Sequence, residues 1–232
     1  MKKILICGAS KNLGNYFFNK LKNFYQIYLF SRNIIQHNDF IKTDLSKIKE
    51  TNDAFKKLSI KISKIDTIIF CVGDSKKKYG KQATEKDFDS SFKSNFYSFI
   101  NLLNSYIKYF KKKPVKIIVI SSIAGLKNIN APITYSIAKN ALNYYCTINA
   151  KELAKNKIFI NIISPGNILM KGNNWDKKLK KNKRKILNYI NKNVPNKKFC
   201  DPDDILNSCR LIIEMKNSFV GSNIVIDGGQ IL

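Results

Sequence analysis

Short apolar runs alternate with longer stretches of helical periodicity along the whole chain. "KILIC" (3–7), "QIYLF" (26–30), "DTIIFCVG" (66–73), "KIIVISS" (116–122), "IFINIISPG" (158–166) and "NIVIDGG" (223–229) read as strands. The β-branched runs "DTIIFCVG" and "KIIVISS" are typical of strands buried on both faces. Helical patterns run from the turn after residue 7 to about Lys22, from about Glu85 to Phe110, and from about Thr134 to Leu153. A further helix is predicted over 201–215, with Pro202 near its first turn as a start signal. This alternation predicts one α/β domain spanning 1–232, a doubly wound parallel sheet with helices on both faces. The most irregular stretch, 167–197, follows a strand's carboxyl end, where open α/β sheets bind ligands. It reads as a substrate lid whose Trp175, Leu179, Ile186 and Ile190 form one apolar helical face, with basic residues filling much of the rest.

Charge complicates that picture. Lys and Arg number 42 against 16 Asp and Glu, a net charge of +26. Such a surface attracts nucleic acid, anionic membrane or an acidic substrate. Yet Lys is spread along the chain together with abundant Asn and Ile, which favours compositional bias for most of the charge. The five cysteines (7, 71, 146, 200 and 209) form no C-x-x-C pair and are odd in number, pointing to a reduced, cytoplasmic protein without zinc or disulfides. The N-terminal apolar run, Ile4 to Cys7, is too short for a signal peptide, and no run approaches membrane-spanning length. The single histidine, His37, sits in polar "IIQHND" and is expected to be a solvated loop residue. Ser-His-Asp chemistry and histidine metal sites are therefore disfavoured, and acid/base work falls to Tyr, Lys or a carboxylate.

Two local patterns carry candidate chemistry. "CGASKNLGNYF" follows the first strand and opens the first helix. Gly8 permits a tight turn, Gly14 permits close backbone approach or helix packing, and the helix N-terminus offers free N–H groups to a pyrophosphate. After the second strand come Ser31 and Arg32 instead of an acidic residue. An acid there would hold the ribose 2′-hydroxyl of NAD(H); Arg32, with Lys11, suits the 2′-phosphate of NADP(H). The second pattern is Tyr-x-x-x-Lys, which places a phenol and an ammonium on one helix face. It occurs at Tyr16/Lys20, Tyr109/Lys113 and Tyr135/Lys139, so spacing alone does not choose between them.

Taken in order, these pieces resemble the short-chain dehydrogenase/reductase family over nearly the whole chain, implying a Rossmann fold of about seven strands. The family loop Gly-x-x-x-Gly-x-Gly matches "GASKNLG" at Gly8 and Gly14, with Asn12 at the middle glycine. Asn tolerates left-handed backbone best after Gly, so the loop is expected to survive. The resemblance implies cofactor contacts at Gly8, Ser10, Lys11, Asn12, Leu13, Gly14, Ser31, Arg32, Asp44, Leu45, Cys71, Val72, Gly73, Tyr135, Lys139, Pro165, Gly166 and Ile168. It departs from the family at Phe70-Cys71, where Asn-Asn is usual, and at Met170, where Thr is frequent. It also implies a catalytic set of Asn, Ser, Tyr and Lys, with the Ser thirteen residues before the Tyr. Ser122 stands thirteen residues before Tyr135, whereas that offset from Tyr109 and Tyr16 reaches Phe96 and Lys3. Asn95 falls where the family's Asn does, and its implied role is to hold a proton-relaying water for Lys139.

The expectation is thus an NADP(H)-dependent enzyme that interconverts a carbonyl and an alcohol. Tyr135 is the acid/base, its pKa lowered by Lys139; Ser122 fixes the substrate oxygen. The C-terminal "VPNKKFCDPDDI" and "GSNIVIDGGQ" resemble 3-oxoacyl-acyl-carrier-protein reductases, and the Trp-containing lid resembles reductases acting with sugar-modification enzymes. Expected partners are a small carbonyl or alcohol, phosphate-bearing or carrier-bound among the options, and further copies of the chain as a homodimer or homotetramer. The rival is a non-catalytic dinucleotide-sensing or nucleic-acid-binding relative, favoured by the basic runs "KKKPVK" (111–116) and "KKLKKNKRK" (177–185); steeply salt-dependent DNA binding would support it.

Overall fold

The computed structural model describes residues 1–75, 83–110 and 113–232. Lys111 and Lys112 of the first basic run lie outside them. Seven strands form one all-parallel sheet: β1 (Lys3–Cys7), β2 (Gln26–Ser31), β3 (Phe40–Lys42), β4 (Thr67–Phe70), β5 (Val115–Ile120), β6 (Ile158–Pro165) and β7 (Asn223–Ile226). Their spatial order is β3-β2-β1-β4-β5-β6-β7. The order reverses beside β1, which pairs with β2 on one edge and β4 on the other. That reversal opens a crevice at the strands' carboxyl ends.

The period of two in the strands sorts their side chains into two cores. Leu5 and Cys7 of β1, Ile68 and Phe70 of β4, and Ile117 and Val119 of β5 face one side. Helices α2 (Ile48–Lys61), α4 (Ser98–Phe110) and α5 (Ile133–Lys155) cover it, contributing Phe55, Phe99, Tyr106 and Leu142. Ile4, Ile6, Ile69, Ile118 and Ile120 face the other side, under α1 (Asn12–Leu21) and α8 (Pro202–Glu214). Each fully buried large side chain contributes about 1.5–3 kcal/mol through removal of apolar surface from water. The helix α2 was not among the predicted elements; its Ala54, Phe55 and Leu58 carry a recognisable apolar face between charged residues.

Several boundaries have local causes. Asp201 caps α8 by accepting a bond from the Asp203 N–H at 2.9 Å, and Pro202 occupies the first turn as predicted. At the other end of α8, Lys116 Nζ donates to the Ile213 carbonyl at 2.9 Å, satisfying an end-of-helix acceptor. The helix expected from 85 to 110 is interrupted: α3 (Glu85–Phe92) and α4 are joined by a wider π-helical turn at Lys93–Tyr97. The apolar periodicity continues through this turn, so sequence spacing did not reveal it. The lid likewise contains two helices instead of one face, α6 (Asn174–Lys181) and α7 (Lys183–Asn193). Asn182 ends the first and caps the second, its side chain accepting from the Lys185 N–H at 2.9 Å. Finally, His37 is half-buried, not solvated: its ring packs edge-on against Phe18, and its Nδ1 accepts from the Asp39 N–H at 3.2 Å.

Candidate active site

A cavity of about 1390 Å3 lies along the carboxyl ends of the strands, from the glycine loop to the lid. The loop after β1 shapes its floor. Gly8 has φ +83°, and a Cβ there would meet the Cys71 carbonyl oxygen at 2.9 Å. Asn12 takes φ +50° at the start of α1, the left-handed backbone that lets it stand where the family keeps glycine. Gly14 does not line the cavity; a Cβ there would meet the Gly8 carbonyl oxygen at 2.3 Å. Its part is close packing of helix on loop.

The other residues expected at a dinucleotide gather on the same wall. Ser10, Lys11, Leu13, Ser31, Arg32, Asp44, Leu45, Cys71, Val72, Gly73, Pro165, Gly166 and Ile168 all line the cavity. Arg32 is exposed beyond β2. Asp44 is held in place, its Oδ1 accepting from Ser46 N–H at 3.0 Å and Ser46 Oγ at 2.8 Å. Two lining residues, Thr43 and Ser121, carry buried hydroxyls without a partner among the described residues. Neither was foreseen: a Thr and a Ser directly after strand ends carry no spacing signal. Orphaned polar atoms in a glycine-floored crevice fit a polar elongated ligand, because buried hydroxyls left unpaired are costly. The residues present therefore fit a nicotinamide dinucleotide.

The catalytic candidates come from three elements. Ser122 lies two residues beyond β5, where it caps a short turn at Ile123–Gly125; its Oγ accepts from Ala124 N–H at 3.2 Å. Tyr135 and Lys139 lie in the first turns of α5, which packs against that turn, and the Ser122 hydroxyl is close enough to the Tyr135 phenol to favour its ionised form. All three line the cavity. Lys139 is 2% exposed, its Nζ donating to the Ile120 carbonyl at 3.2 Å and standing 6.0 Å from the Tyr135 ring centre. Tyr16 and Lys20, by contrast, are surface groups of α1 engaging Asp203.

Electrostatics differ from the sequence expectation. Burial pushes the Tyr135 phenol above its usual pKa; the Ser122 hydroxyl opposes this, and the Asp74 carboxylate adds to it. Lys139 is not among the groups lowering it. Lys139 is itself pushed down to about 8 by burial, with the thiols of Cys71 and Cys146 opposing. In the cofactor-free chain, desolvation therefore outweighs the attraction between the pair.

Asn95 does not line the cavity. It is fully buried in the π-helical turn, where its Oδ1 accepts from Asp74 N–H and its Nδ2 donates to the Asp74 and Ser91 carbonyls, each at 3.0 Å. A Cβ on Gly73 would meet Asn95 Oδ1 at 2.7 Å and Lys139 Nζ at 3.2 Å. The glycine that survives from the family signature thus sits where Asn95 and Lys139 converge. Asp74, which sequence reasoning passed over, lines the cavity beside Tyr135.

The lid closes the far end. Trp175 and Tyr189 stack with ring centres 5.5 Å apart, and Phe199 packs against Trp175 at 5.7 Å. Ile186 and Ile190 are buried, with Trp175 and Leu179 half-buried. Asn174 Nδ2 donates to Ser75 Oγ at 2.9 Å, tying the lid to the segment after β4. Among the described residues no helix is long and apolar enough to cross a membrane.

Comparison with known proteins agrees with this geometry. A family model described as enoyl-(acyl carrier protein) reductase matches residues 31–230. Acetoacetyl-CoA reductase of Cupriavidus necator is 25% identical over 195 residues, covering 82% of this chain and 77% of that protein. L-xylulose reductase of Caenorhabditis elegans is 25% identical over 244 residues, covering 98% and 95%. Among solved structures, ElxO with NADP bound superimposes with a TM-score of 0.87 at 22% identity, covering 99% of this chain and 98% of that one. A short chain dehydrogenase from Leptospira borgpetersenii with bound NAD+ gives 0.86 at 21%, covering 100% and 93%. The superpositions establish the fold, and the family match over most of the sequence establishes its kinship: this chain belongs to the short-chain dehydrogenase/reductase family of NAD(P)-dependent oxidoreductases.

Proposed function

We propose that this protein reduces a ketone or aldehyde with NADPH, and runs the reverse oxidation, using Tyr135 as acid/base. One observation carries the reading: Ser122, Tyr135 and Lys139 line one glycine-floored cavity, with the Lys139 ammonium one helical turn behind the phenol. Bound nicotinamide supplies the hydride in reduction and accepts it in oxidation. Ser122 bonds the substrate oxygen and fixes its position. Tyr135 gives its hydroxyl proton to that oxygen; its raised pKa keeps the proton in place until charge develops there. The Lys139 charge stabilises the phenolate left behind. Asn95 positions the Asp74 backbone beside Gly73, whose missing side chain leaves room for Asn95 and Lys139.

Arg32 and Lys11, with no acid at the end of β2, support NADP(H) over NAD(H). The relatives named for acetoacetyl-CoA and L-xylulose support substrates of 3-oxoacyl or sugar type. Ile133, Ile137, Tyr144 and Ile148 leave apolar surface exposed along α5, with Tyr144 67% exposed. A stripe at this helical spacing supports pairing with a second copy into a homodimer or homotetramer, in the cytoplasm. NADPH oxidation against a panel of acetoacetyl thioesters, ketoses and simple ketones tests the reading; absence of oxidation with every carbonyl would refute it.

A further inference from the structure

The basic run 177–185 does not behave as one uniform face. Lys177, Lys178, Lys181 and Lys185 line the cavity, whereas Lys180, Lys183 and Arg184 do not. Lys180 pairs with Asp176 at 2.8 Å. The break at Asn182 is what brings the first turn of α7, with Lys185, to the same chamber as α6. Lys86 of α3 and Lys93 of the π-helical turn line that cavity too. Cations from separate elements, α3, the π-helical turn, α6 and α7, thus border one cavity.

The same cavity is lined by polar groups as well: Asp74, Ser75, Asp89, Ser90, Ser94 and Asn174. They are suited to donors and acceptors on a hydroxylated ligand. Asp74 is fixed by the two-sided bond from Asn95, so its carboxylate is presented from a rigid backbone. The Asn174–Ser75 bond holds the lid against this segment, so the polar groups and the lysines border one chamber. Trp175 and Tyr189 supply its flat aromatic surface.

We propose that the carbonyl substrate is polyhydroxylated and phosphorylated: Asp74 bonds its hydroxyls beside Tyr135, and Lys181 and Lys185 hold its phosphate. This rests on the reductase reading and narrows its substrate class. Phosphate is also found on the pantetheine arm of an acyl carrier, so the test must separate the two sources. Calorimetric titration of the NADP+-saturated protein with fructose 6-phosphate, fructose and acetoacetyl-coenzyme A does so without requiring turnover. Fructose 6-phosphate is expected to bind at least about tenfold more tightly than fructose, the scale of two partly exposed charge pairs. Lys181→Gln with Lys185→Gln should remove most of that difference, while Lys183→Gln, outside the cavity, leaves it intact. Asp74→Asn should weaken both sugars alike. Equal titration of the two sugars, or an unchanged preference in the double lysine variant, would overturn the proposal. So would acetoacetyl-coenzyme A binding more tightly than fructose 6-phosphate and indifferent to Asp74→Asn. Failure of NADPH oxidation with every carbonyl faults the reductase reading instead, while the titrations judge the binding site by themselves.

Discussion

Asn95 grips the backbone of Asp74 from both sides, accepting from its N–H and donating to its carbonyl at 3.0 Å each. An amide side chain is doing here what a neighbouring strand does in a sheet. It becomes possible because the helix widens at Lys93–Tyr97, a departure frequent at functional sites. Asn95→Ala leaves both Asp74 groups without their partner. It should cost about 1–3 kcal/mol in urea unfolding: a fully buried unsatisfied group costs about 1–3 kcal/mol, and the two Asp74 groups, part-buried beside the cavity, each cost less. A loss below about 0.5 kcal/mol would show that water replaces the amide at no cost.

Asn12 makes a sharper test of the glycine loop. Its φ of +50° is accessible to Asn and Gly but strained for β-branched residues. Asn12→Gly should stay within about 0.5 kcal/mol of the parent, and Asn12→Val should lose about 1–3 kcal/mol together with dinucleotide affinity. Equal stability of the two variants, read by thermal unfolding, would contradict the left-handed assignment.

Lys139 is a cost to the cofactor-free fold. Its pKa falls from 10.5 to about 8 on burial, which amounts to about 3 kcal/mol against folding while the side chain is charged in both states. Between about pH 8 and 10.5 the unfolded chain binds the extra proton, so stability rises with pH across that window; above it both forms are neutral. Lys139→Met should therefore be more stable than the parent at pH 7, with the gap closing toward pH 10.5, and should lack activity. A pH-independent gap in unfolding free energy would show that the charge is not the cause.

The proposed preference for NADP(H) rests on one exposed cation, Arg32. Arg32→Asp replaces a partner for a 2′-phosphate with a partner for a ribose hydroxyl. The ratio of kcat/KM for NADPH to that for NADH should fall by about tenfold or more, the scale of a hydrogen bond to a charged group. An unchanged ratio would place the discrimination elsewhere, Lys11 being the next residue to vary.

The sheet was legible in the sequence because strands buried on both faces must be apolar throughout, as in "KIIVISS". The turn at Gly8 was legible because turn geometry restricts what can stand there, and the left-handed backbone of Asn12 followed from its place in the family loop. The choice of Tyr135 among three Tyr/Lys pairs came from resemblance, and the structure adds the Ser122 contact that spacing could not show. What escaped depends on tertiary placement. Asp74 carries no periodic or motif signal, and its importance comes from a residue twenty-one positions away. The break at Asn182 left the apolar pattern of the lid intact, so one face was expected where two helices stand. The direction of the Tyr135 pKa was missed for a related reason: sequence spacing reports that an ammonium is near, not that burial outweighs it.

The most direct test of the account is single-turnover NADPH oxidation by the parent and Tyr135→Phe, with NADPH affinity followed by fluorescence. Removing the proton donor while keeping the ring should lower the rate by at least the 10²–10⁴-fold typical of a positioned general acid, about 3–5 kcal/mol, with NADPH affinity within about threefold. A Tyr135→Phe rate within about tenfold of the parent at unchanged NADPH affinity would contradict it.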